Sequence, residues 1–471
     1  MTAARIEQAL ASILGEEGVL PGSERAYLSD ATESRSLRGR ADAVALPGSA
    51  EEVAGVVRWC YEHDVAIVPR GGGTGFAGGA VPLDGGVVIG LERMRSVRRF
   101  DPELWRIELD AGVRTAELRR RARENGLYFP PDPGASEQSQ LGGNISTNAG
   151  GPHAFKYGVT GTWVTGLQAV VAPGELIELG GPVRKDVAGY DLKSLLIGSE
   201  GTLGVVTGAW LRLVPAPEAA LPVAASYPSA TEGCAAILGV LANGLGVAAL
   251  EYLDAGALAA TRSAFPIDLP RSAAFMVIAE ADGSAPEAAR LHSELIEVLG
   301  EGAMSIHAPD QARGVAALWR WREGTSPGVT AQRGGKVSED IVVPLDRLLE
   351  GIEATVEIGR RHRLSACSWG HAGEGNLHST FLISPEDPDE LERAERAAEE
   401  LFALAARLGG AVSGEHGLGW VKRGALERQW GPAALALHEQ VKDVFDPKGL
   451  FNPGKKLARL TTAPPVADPQ R

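Results

Sequence analysis

The spacing of apolar residues along the chain predicts alternating helices and strands. Ile6, Leu10 and Leu14 recur at helical spacing and predict an amphipathic helix near the N-terminus. Ser49 and Glu52 form a capping box, which predicts that a second helix begins directly after Ser49. Short apolar runs predict strands at 43–46, 66–69 and 86–90.

The second half of the chain continues this alternation after Pro215-Ala216-Pro217, a segment that predicts a domain boundary. Its apolar pattern predicts helices at 286–299, 345–360 and 389–408, and a strand at 341–343. We therefore expect an N-terminal helical segment at 1–37, a first domain at 38–217, a second domain at 218–457 and a disordered tail at 458–471.

Composition narrows the class of protein. Lys and Arg number 46 against 60 Asp and Glu, and the resulting net charge of −14 argues against a nucleic-acid binder. Three distant cysteines, Cys60, Cys234 and Cys367, indicate neither a disulfide framework nor a cysteine-based metal site. We see no signal peptide and no apolar run long enough to span a membrane. The expected location is the cytoplasm, at most peripheral to a membrane through a partner.

Glycine makes up 60 of 471 residues and concentrates in three loops at 70–79, 142–158 and 198–207. Gly73, Gly75 and Gly78 match the dinucleotide fingerprint, but no helical pattern follows them, so a Rossmann site is not expected. Consecutive glycines can direct backbone N–H groups at a phosphate. One such loop alone could be a plain turn, whereas three together suit one long ligand with a diphosphate and two flat ends.

Histidines and carboxylates concentrate in two further glycine-rich motifs. The first runs from Gly370 to His378 and contains His371, and the second is Ser413-Gly414-Glu415-His416-Gly417. Two His and one Glu with an open coordination position are a common ligand set for a catalytic divalent metal. The alternative is that these are unrelated polar loop residues. A metal-dependent hydrolase is a further alternative at this point.

Taken together, these motifs run from Pro69 to Pro453 and resemble those of FAD-binding proteins of the vanillyl-alcohol oxidase and p-cresol methylhydroxylase superfamily. Within it, the chain is similar to the branch that contains D-lactate dehydrogenase, D-2-hydroxyglutarate dehydrogenase and the FAD-binding chain of glycolate oxidase. The resemblance implies an α+β fold. It would combine a two-part FAD-binding domain of the p-cresol methylhydroxylase type with a C-terminal α+β cap domain that contains an antiparallel sheet.

The resemblance also implies FAD contacts throughout the three glycine loops. Glu200, Gly201 and Val206 would lie near either the adenine end or the isoalloxazine edge. Relatives with covalent flavin carry a His or Cys at the equivalent positions of these loops, where this chain has Gly72 and Gly73 in the first loop and Ser146 and Thr147 in the second, so we expect non-covalent FAD. The implied FAD residues are Arg70, Gly71, Gly72, Gly73, Thr74, Gly75, Gly78, Gly79, Pro131, Asp132, Gly142, Gly143, Asn144, Thr147, Asn148, Gly150, Gly151, Tyr157, Gly158, Glu200, Gly201, Val206 and Asn452.

For the second domain, the resemblance implies that His371, His378 and Glu415 bind zinc, manganese or iron, three metals the sequence does not distinguish. His416 would be the general base. The implied substrate-binding residues are Arg322, Lys336 and Asn376; Arg320 is a local competitor of Arg322. Glu374 stands where the family usually has Asp, and His153 is expected to be a packing or supporting residue.

The expected activity is FAD-dependent oxidation of a small 2-hydroxy acid, glycolate or D-lactate, to the 2-oxo acid, with hydride transfer to flavin N5. One alternative is a D-2-hydroxyglutarate dehydrogenase. Another is a flavin-binding electron-transfer subunit of a glycolate oxidase complex. An iron–sulfur or other electron-acceptor subunit is the expected partner.

Overall fold

A computed structural model describes residues 2–32, 35 and 37–457 of the chain. The predicted first helix is present as α1 (Ala3–Leu14), and it buries Ile6, Leu10 and Leu14 as its apolar spacing requires. The predicted disordered tail at 458–471 lies outside the described residues.

The first half of the described chain forms three small sheets with helices packed against them. Its strands are β1 (Val19–Pro21), β2 (Ala43–Ala45), β3 (Ile67–Arg70), β4 (Val87–Gly90), β5 (Val97–Asp101), β6 (Arg106–Asp110), β7 (Leu127–Tyr128), β8 (Val164–Val171), β9 (Glu175–Gly180), β10 (Val205–Arg212) and β11 (Val214–Pro215). Its further helices are α2 (Ala50–Glu62), α3 (Thr115–Glu124), α4 (Leu141–Thr147), α5 (Ala154–Tyr157) and α6 (Leu192–Leu196).

The first of these sheets has the order β1-β2-β4-β3, in which β2 and β3 both pair with β4 in parallel. The loop 71–86 joins β3 to β4 without a helix, so the glycine run does not open a βαβ unit, as the sequence predicted. The second sheet is antiparallel with the order β5-β6-β10-β8-β9, and β7 pairs with β11.

The predicted capping box of α2 forms in part. The Ser49 side chain accepts a hydrogen bond from the Glu52 amide at 3.2 Å, which fixes the start of the helix. The Glu52 carboxylate instead accepts from the Gly48 amide at 2.7 Å. The face of α2 with Val53, Val57 and Cys60 is buried in the first apolar core.

The second half is built on one large sheet. Its strands are β12 (Ala219–Tyr227), β13 (Ala249–Leu253), β14 (Phe275–Gly283), β15 (Ser305–His307), β16 (Gly335–Val342), β17 (Ser365–His371) and β18 (Asn376–Ile383). Its helices are α7 (Ala230–Ala242), α8 (Ala255–Thr261), α9 (Ala285–Gly300), α10 (Ala312–Glu323), α11 (Thr325–Ala331), α12 (Leu348–Arg361), α13 (Pro388–Arg407), α14 (Leu426–Gln429) and α15 (Pro432–Phe445). The strand order is β15-β12-β14-β13-β17-β18-β16, and every pairing is antiparallel, as expected for the cap domain.

The strand predicted at 341–343 is longer than its apolar pattern indicated, because it begins at Gly335. The missed part contains Lys336, Glu339 and Asp340. These charged residues interrupt the apolar pattern from which a buried strand is predicted, although all three are buried in the structure. These buried charged residues are paired with other polar groups, which is the condition for keeping them inside a protein.

The C-terminal segment returns to the first core. The Ile67 amide donates to the Leu450 carbonyl at 2.8 Å, and the Asn452 amide donates to the Ile67 carbonyl at 2.7 Å. Phe451 between them is fully buried in the first core. The domain boundary expected after residue 217 stays a prediction. The C-terminal segment around Phe451, which was assigned to the second domain, packs on the first core.

The fully buried carboxylate of Asp446 stabilises the conformation of this C-terminal segment. It pairs with Lys442 and accepts from the Tyr61 hydroxyl. It also accepts from the amides of Leu450 at 3.0 Å and Phe451 at 2.8 Å.

Ionic contacts join the two halves next to the first core. His153 Nδ1 lies 2.5 Å from the Asp132 carboxylate, and its Nε2 lies 2.8 Å from that of Glu280 on β14. Lys156 and the Tyr157 hydroxyl both bind Asp282 on the same strand. One short segment of the first half therefore holds two carboxylates of β14.

No helix in the described part of the chain is both long enough and apolar enough to cross a bilayer.

We expect Asp446→Ala to lower the free energy of unfolding by roughly 3–5 kcal/mol, because a buried lysine and two backbone amides lose their carboxylate. Urea unfolding measures this change. Glu439→Gln, exposed on α15, which ends directly before Asp446, is the control and should change stability by about 0.5 kcal/mol or less. Equal unfolding midpoints for the two variants would contradict the role of Asp446.

We expect the ionic contacts of His153 with Asp132 and Glu280, here called the His153 bridge, to stabilise the protein less as pH rises. Burial alone would lower the pKa of His153, but Asp132 and Glu280 raise it well above its usual value. Stability from such a raised pKa is complete below about pH 6.5 and is lost as pH rises through the pKa of the folded state.

His153→Gln should therefore lower the free energy of unfolding by about 1.5–3 kcal/mol at pH 6 and by less at pH 9. Urea unfolding at both pH values is the measurement, with the exposed His63→Gln as control. A difference that stays constant or grows with pH would rule out the charged bridge.

Candidate functional site

A cavity of 810 Å³ lies between the two halves and is lined by residues of both. All three predicted glycine loops reach its wall. The predicted FAD residues in its lining are Arg70, Gly71, Gly72, Gly73, Thr74, Gly75, Gly79, Asp132, Gly142, Gly143, Asn144, Thr147, Gly151, Glu200, Gly201 and Val206. The predicted FAD residues outside the lining are Gly78, Pro131, Asn148, Gly150, Tyr157, Gly158 and Asn452.

Glycine is required in the first loop because two loops touch there. A Cβ atom on Gly72 would lie 2.2 Å from the carbonyl oxygen of Gln138, in the segment that leads into the second loop, far inside van der Waals contact. A Cβ on Gly71 would lie 3.1 Å from the Gly143 Cα atom. The absence of side chains thus lets the first two predicted loops form one continuous wall.

Two predicted FAD residues outside the lining hold the loops together instead. The Asn452 amide donates to the carbonyls of Gly79 at 2.9 Å and Glu200 at 2.7 Å, which connects the first and third loops. The Tyr157 hydroxyl is bound to Asp282 on the second half. Asn452 and Tyr157 therefore stabilise the segments that form the cavity wall without lining the cavity themselves.

Arg70 and Glu200 line the cavity, but their charged groups are already bound. The Arg70 guanidinium donates to the carbonyls of Ala26 and Ser29, both at 2.8 Å. The Glu200 carboxylate accepts from the amides of Leu418 at 3.0 Å and Gly419 at 2.6 Å. Glu200 therefore ties the third loop to the segment that follows His416.

His371, His378 and Glu415, here called the His–His–Glu centre, converge in the second half at the cavity. One ligand atom from each residue lies within 4.8 Å of the others. Glu415 Oε1 is 3.1 Å from His371 Nε2 and 3.7 Å from His378 Nε2. His371 ends β17 and His378 lies on β18, so a tight connection between neighbouring strands places both imidazoles on one side.

The electrostatics of this centre suit a cation. Burial lowers the pKa of His378 well below its usual value, with nearby His416 and His371 acting in the same direction, so His378 is the neutral imidazole that metals require. Burial alone would raise the pKa of Glu415, but His371 outweighs it and keeps the carboxylate ionised. Burial alone would lower the pKa of His371, but Glu251 and Glu415 raise it well above its usual value, so a bound metal would replace its proton. Two imidazoles and one carboxylate with an open side therefore fit a divalent transition metal.

His416 lies beside the centre without belonging to it. Its ring stacks on His378 with centroids 5.2 Å apart and contacts Phe76 of the first loop at 4.7 Å. It lines the cavity between the glycine loops and the His–His–Glu centre. That His416 is a general base facing the flavin stays a prediction.

A buried carboxylate that sequence analysis missed holds the whole 413–416 segment. Asp340 Oδ2 accepts from the backbone amides of Gly414 at 2.8 Å and of Glu415 and His416 at 2.9 Å, and from the Ser413 hydroxyl at 2.9 Å. One oxygen atom thus fixes the backbone that carries both a centre ligand and the predicted base.

Charge keeps Asp340 ionised for this task. Burial alone would raise its pKa, but His416 and Lys422 hold the pKa well below the usual range. The Asn376 amide also donates to Asp340 Oδ1 at 2.5 Å and to the Ile341 carbonyl at 3.0 Å. Asn376 was predicted to bind substrate, but it lies outside the cavity lining and supports Asp340.

Arg322 lines the cavity and is 7% exposed, whereas its competitor Arg320 is exposed and lies outside the lining. The helical spacing on α10 separates the two, as the sequence predicted. Arg322 pairs with buried Glu251 at 2.5 Å. Glu251 also lies 2.6 Å from His371 Nδ1. Sequence analysis gave no signal for Glu251, a single acidic residue on a buried strand.

Lys336 also lines the cavity and is buried. Its ammonium group donates to the Ser326 hydroxyl and lies 5.2 Å from the centre of the Trp369 ring. Ser326 and Trp369 line the same part of the wall and were not predicted.

Comparison with known families agrees with this division of the chain. Residues 41–180 match the FAD binding domain family, and residues 216–456 match the family described as FAD linked oxidases, C-terminal domain. The first two glycine loops and the His–His–Glu centre thus lie in two separately recognised domains, and the third loop lies between the matched ranges.

Two curated proteins and one solved structure illustrate the similarity. Glycolate oxidase subunit GlcD of Bacillus subtilis (strain 168) is 36% identical over 434 residues, which cover 92% of each chain. D-lactate dehydrogenase of Anaerostipes hadrus is 33% identical over 90% of this chain and 91% of that protein.

Among solved structures, p-cresol methylhydroxylase with substrate bound aligns over 96% of each chain with a TM-score of 0.77 and 17% identity. This likeness confirms the predicted α+β fold, with its FAD-binding domain and C-terminal domain. From the two family matches and the identity to the curated relatives, the chain belongs to the FAD-linked oxidases.

Proposed function

We propose that the protein is an FAD-dependent dehydrogenase that oxidises a small 2-hydroxy acid, glycolate or D-lactate, to the 2-oxo acid. The observation that carries this proposal is that one cavity combines the glycine loops of the FAD-binding domain with Arg322, His416 and the His–His–Glu centre. The curated relatives, which include a glycolate oxidase subunit and a D-lactate dehydrogenase, support the substrate class.

In this proposal, Arg322 binds the substrate carboxylate, for which its planar charged guanidinium is suited. His416 accepts the proton of the substrate hydroxyl, a role that requires contact with the reacting group. Its stacking between Phe76 and His378 fixes the imidazole against the cavity wall.

His371, His378 and Glu415 would hold a zinc, manganese or iron ion. Bound FAD would accept hydride from the substrate carbon, and a bound divalent ion would lower the pKa of the substrate hydroxyl. The FAD would be non-covalent, because Gly72, Gly73, Ser146 and Thr147 stand where relatives with covalent flavin carry the linking His or Cys. A cytoplasmic location and an electron-acceptor subunit complete the proposal.

The position of Lys336 favours an alternative substrate with two carboxylates. Lys336 is a second buried cation in the same wall as Arg322, and two cations suit an acid with two carboxylates. D-2-hydroxyglutarate is therefore the alternative. The complete set of Arg322, His416 and the His–His–Glu centre favours an enzyme over a purely electron-transferring subunit.

Stopped-flow measurement of flavin reduction with glycolate, D-lactate and D-2-hydroxyglutarate tests the function. Rapid bleaching of the flavin by one of the first two supports the proposal, and a preference for the third selects the alternative. A flavin that none of the three acids reduces would exclude this substrate class.

We expect Gly72→Ala to lose FAD, because a Cβ atom there would collide with the Gln138 carbonyl and push the segment that leads into the second loop away from the first loop. The flavin-to-protein absorbance ratio after gel filtration measures this loss. Gly181→Ala, where a Cβ atom meets nothing within 4 Å, should keep wild-type flavin content. Acid precipitation of wild type should release its flavin into the supernatant, and flavin left in the pellet would refute non-covalent binding.

His416→Ala and His378→Ala should differ in their metal content. His416→Ala should keep FAD and metal but reduce flavin about 100- to 10,000-fold more slowly, since it lacks the general base. His378→Ala should lose the metal because it loses a ligand. Metal analysis and stopped-flow reduction of both variants decide the assignment, and the reverse pattern would exchange the two roles.

A further inference from the structure

The arrangement of Glu251 connects two parts of the site that the sequence places far apart. Glu251 on β13 is the direct cross-strand partner of His371 on β17, and it is fully buried. Its Oε1 lies 2.6 Å from His371 Nδ1, and its Oε2 lies 2.5 Å from Arg322 Nη2. One carboxylate therefore contacts both a centre ligand and the proposed substrate-binding arginine.

The contact with His371 determines which ring nitrogen faces the centre. A carboxylate accepts a hydrogen bond, so Nδ1 carries a proton, and Nε2 is the nitrogen that would bind a metal in place of its own proton. Nε2 points to the centre, where it lies 3.1 Å from Glu415 Oε1. Carboxylates in this supporting position orient metal-binding imidazoles and make them better ligands.

The contact with Arg322 leaves donors for a second anion. A guanidinium has five N–H groups, and the ion pair with Glu251 is made through Nη2. Arg322 Nε is buried and has no hydrogen-bond partner among the described residues. A buried, unpartnered donor beside the cavity is the group that an incoming carboxylate would satisfy.

From this geometry, and resting on the proposed function, we infer that Glu251 is a positioning residue that ties metal binding to substrate recognition. It orients His371 toward the metal and holds Arg322 toward the substrate carboxylate. Its loss affects both, whereas loss of Arg322 affects only the substrate.

The test compares Glu251→Gln with Arg322→Met in FAD-loaded protein stripped of metal. Zn²⁺ affinity is measured without substrate by competition with a chromophoric chelator, and KM and kcat are measured after reloading. Glu251→Gln should bind Zn²⁺ about 10- to 100-fold more weakly and raise KM. Arg322→Met should raise KM with unchanged Zn²⁺ affinity.

A matched control and a conservative variant complete the design. Glu390→Gln removes another buried carboxylate that pairs with an arginine, Arg333, but lies outside the cavity, so it should leave Zn²⁺ affinity unchanged. Glu251→Asp keeps the charge and should recover part of the affinity. It also replaces the Gln variant if that variant fails to fold, as judged by flavin content and circular dichroism.

The outcomes are distinguishable. Wild-type Zn²⁺ affinity in folded Glu251→Gln, or an equal loss in Arg322→Met, would overturn the inference. If wild type itself binds neither Zn²⁺, Mn²⁺ nor Fe²⁺, the metal centre and this inference fall together. Flavin reduction by a 2-hydroxy acid would then still support the proposed dehydrogenase.

Discussion

The structure around the cavity depends on buried carboxylates that accept hydrogen bonds from the backbone of irregular segments. Asp340 binds three consecutive amides at 414–416, Glu200 binds those of Leu418 and Gly419, and Asp446 binds two more near the C-terminus. Buried amides outside helices and sheets must find an acceptor. Here each group of amides shares one carboxylate, and this gives glycine-rich segments a fixed shape.

This arrangement separates positioning from chemistry. Glycines allow close contact between loops, but they cannot fix a conformation by themselves because they have the largest backbone freedom. Each carboxylate supplies that fixation from outside the segment whose amides it binds. Arg70 fixes backbone as well, but as a donor: its guanidinium donates hydrogen bonds to two carbonyls of the preceding segment. The cavity wall thus presents backbone groups whose direction is determined by side chains behind it.

The sequence predicted the parts that are local and left out those that are not. Periodic apolar spacing predicted α1. His371 and Glu415 were recognised as candidate metal ligands because each lies in a short glycine-rich motif that is visible in the sequence. Asp340 and Glu251 were missed because their partners lie 76 and 120 residues away in the chain. A single acid within a strand reads as a solvent-facing residue until the sheet is known.

The division of labour between the two halves explains why the site lies at their junction. The first half contributes loops of backbone donors with few uncommitted charges, and the second contributes Arg322, Lys336 and the His–His–Glu centre. Neither half alone brings a cofactor-binding wall opposite a carboxylate-binding wall. Rates of reaction between bound groups depend steeply on their separation. The contacts of His153 with Glu280 and of Lys156 with Asp282 join β14 to the loops of the first half, and so hold the two walls of the cavity together.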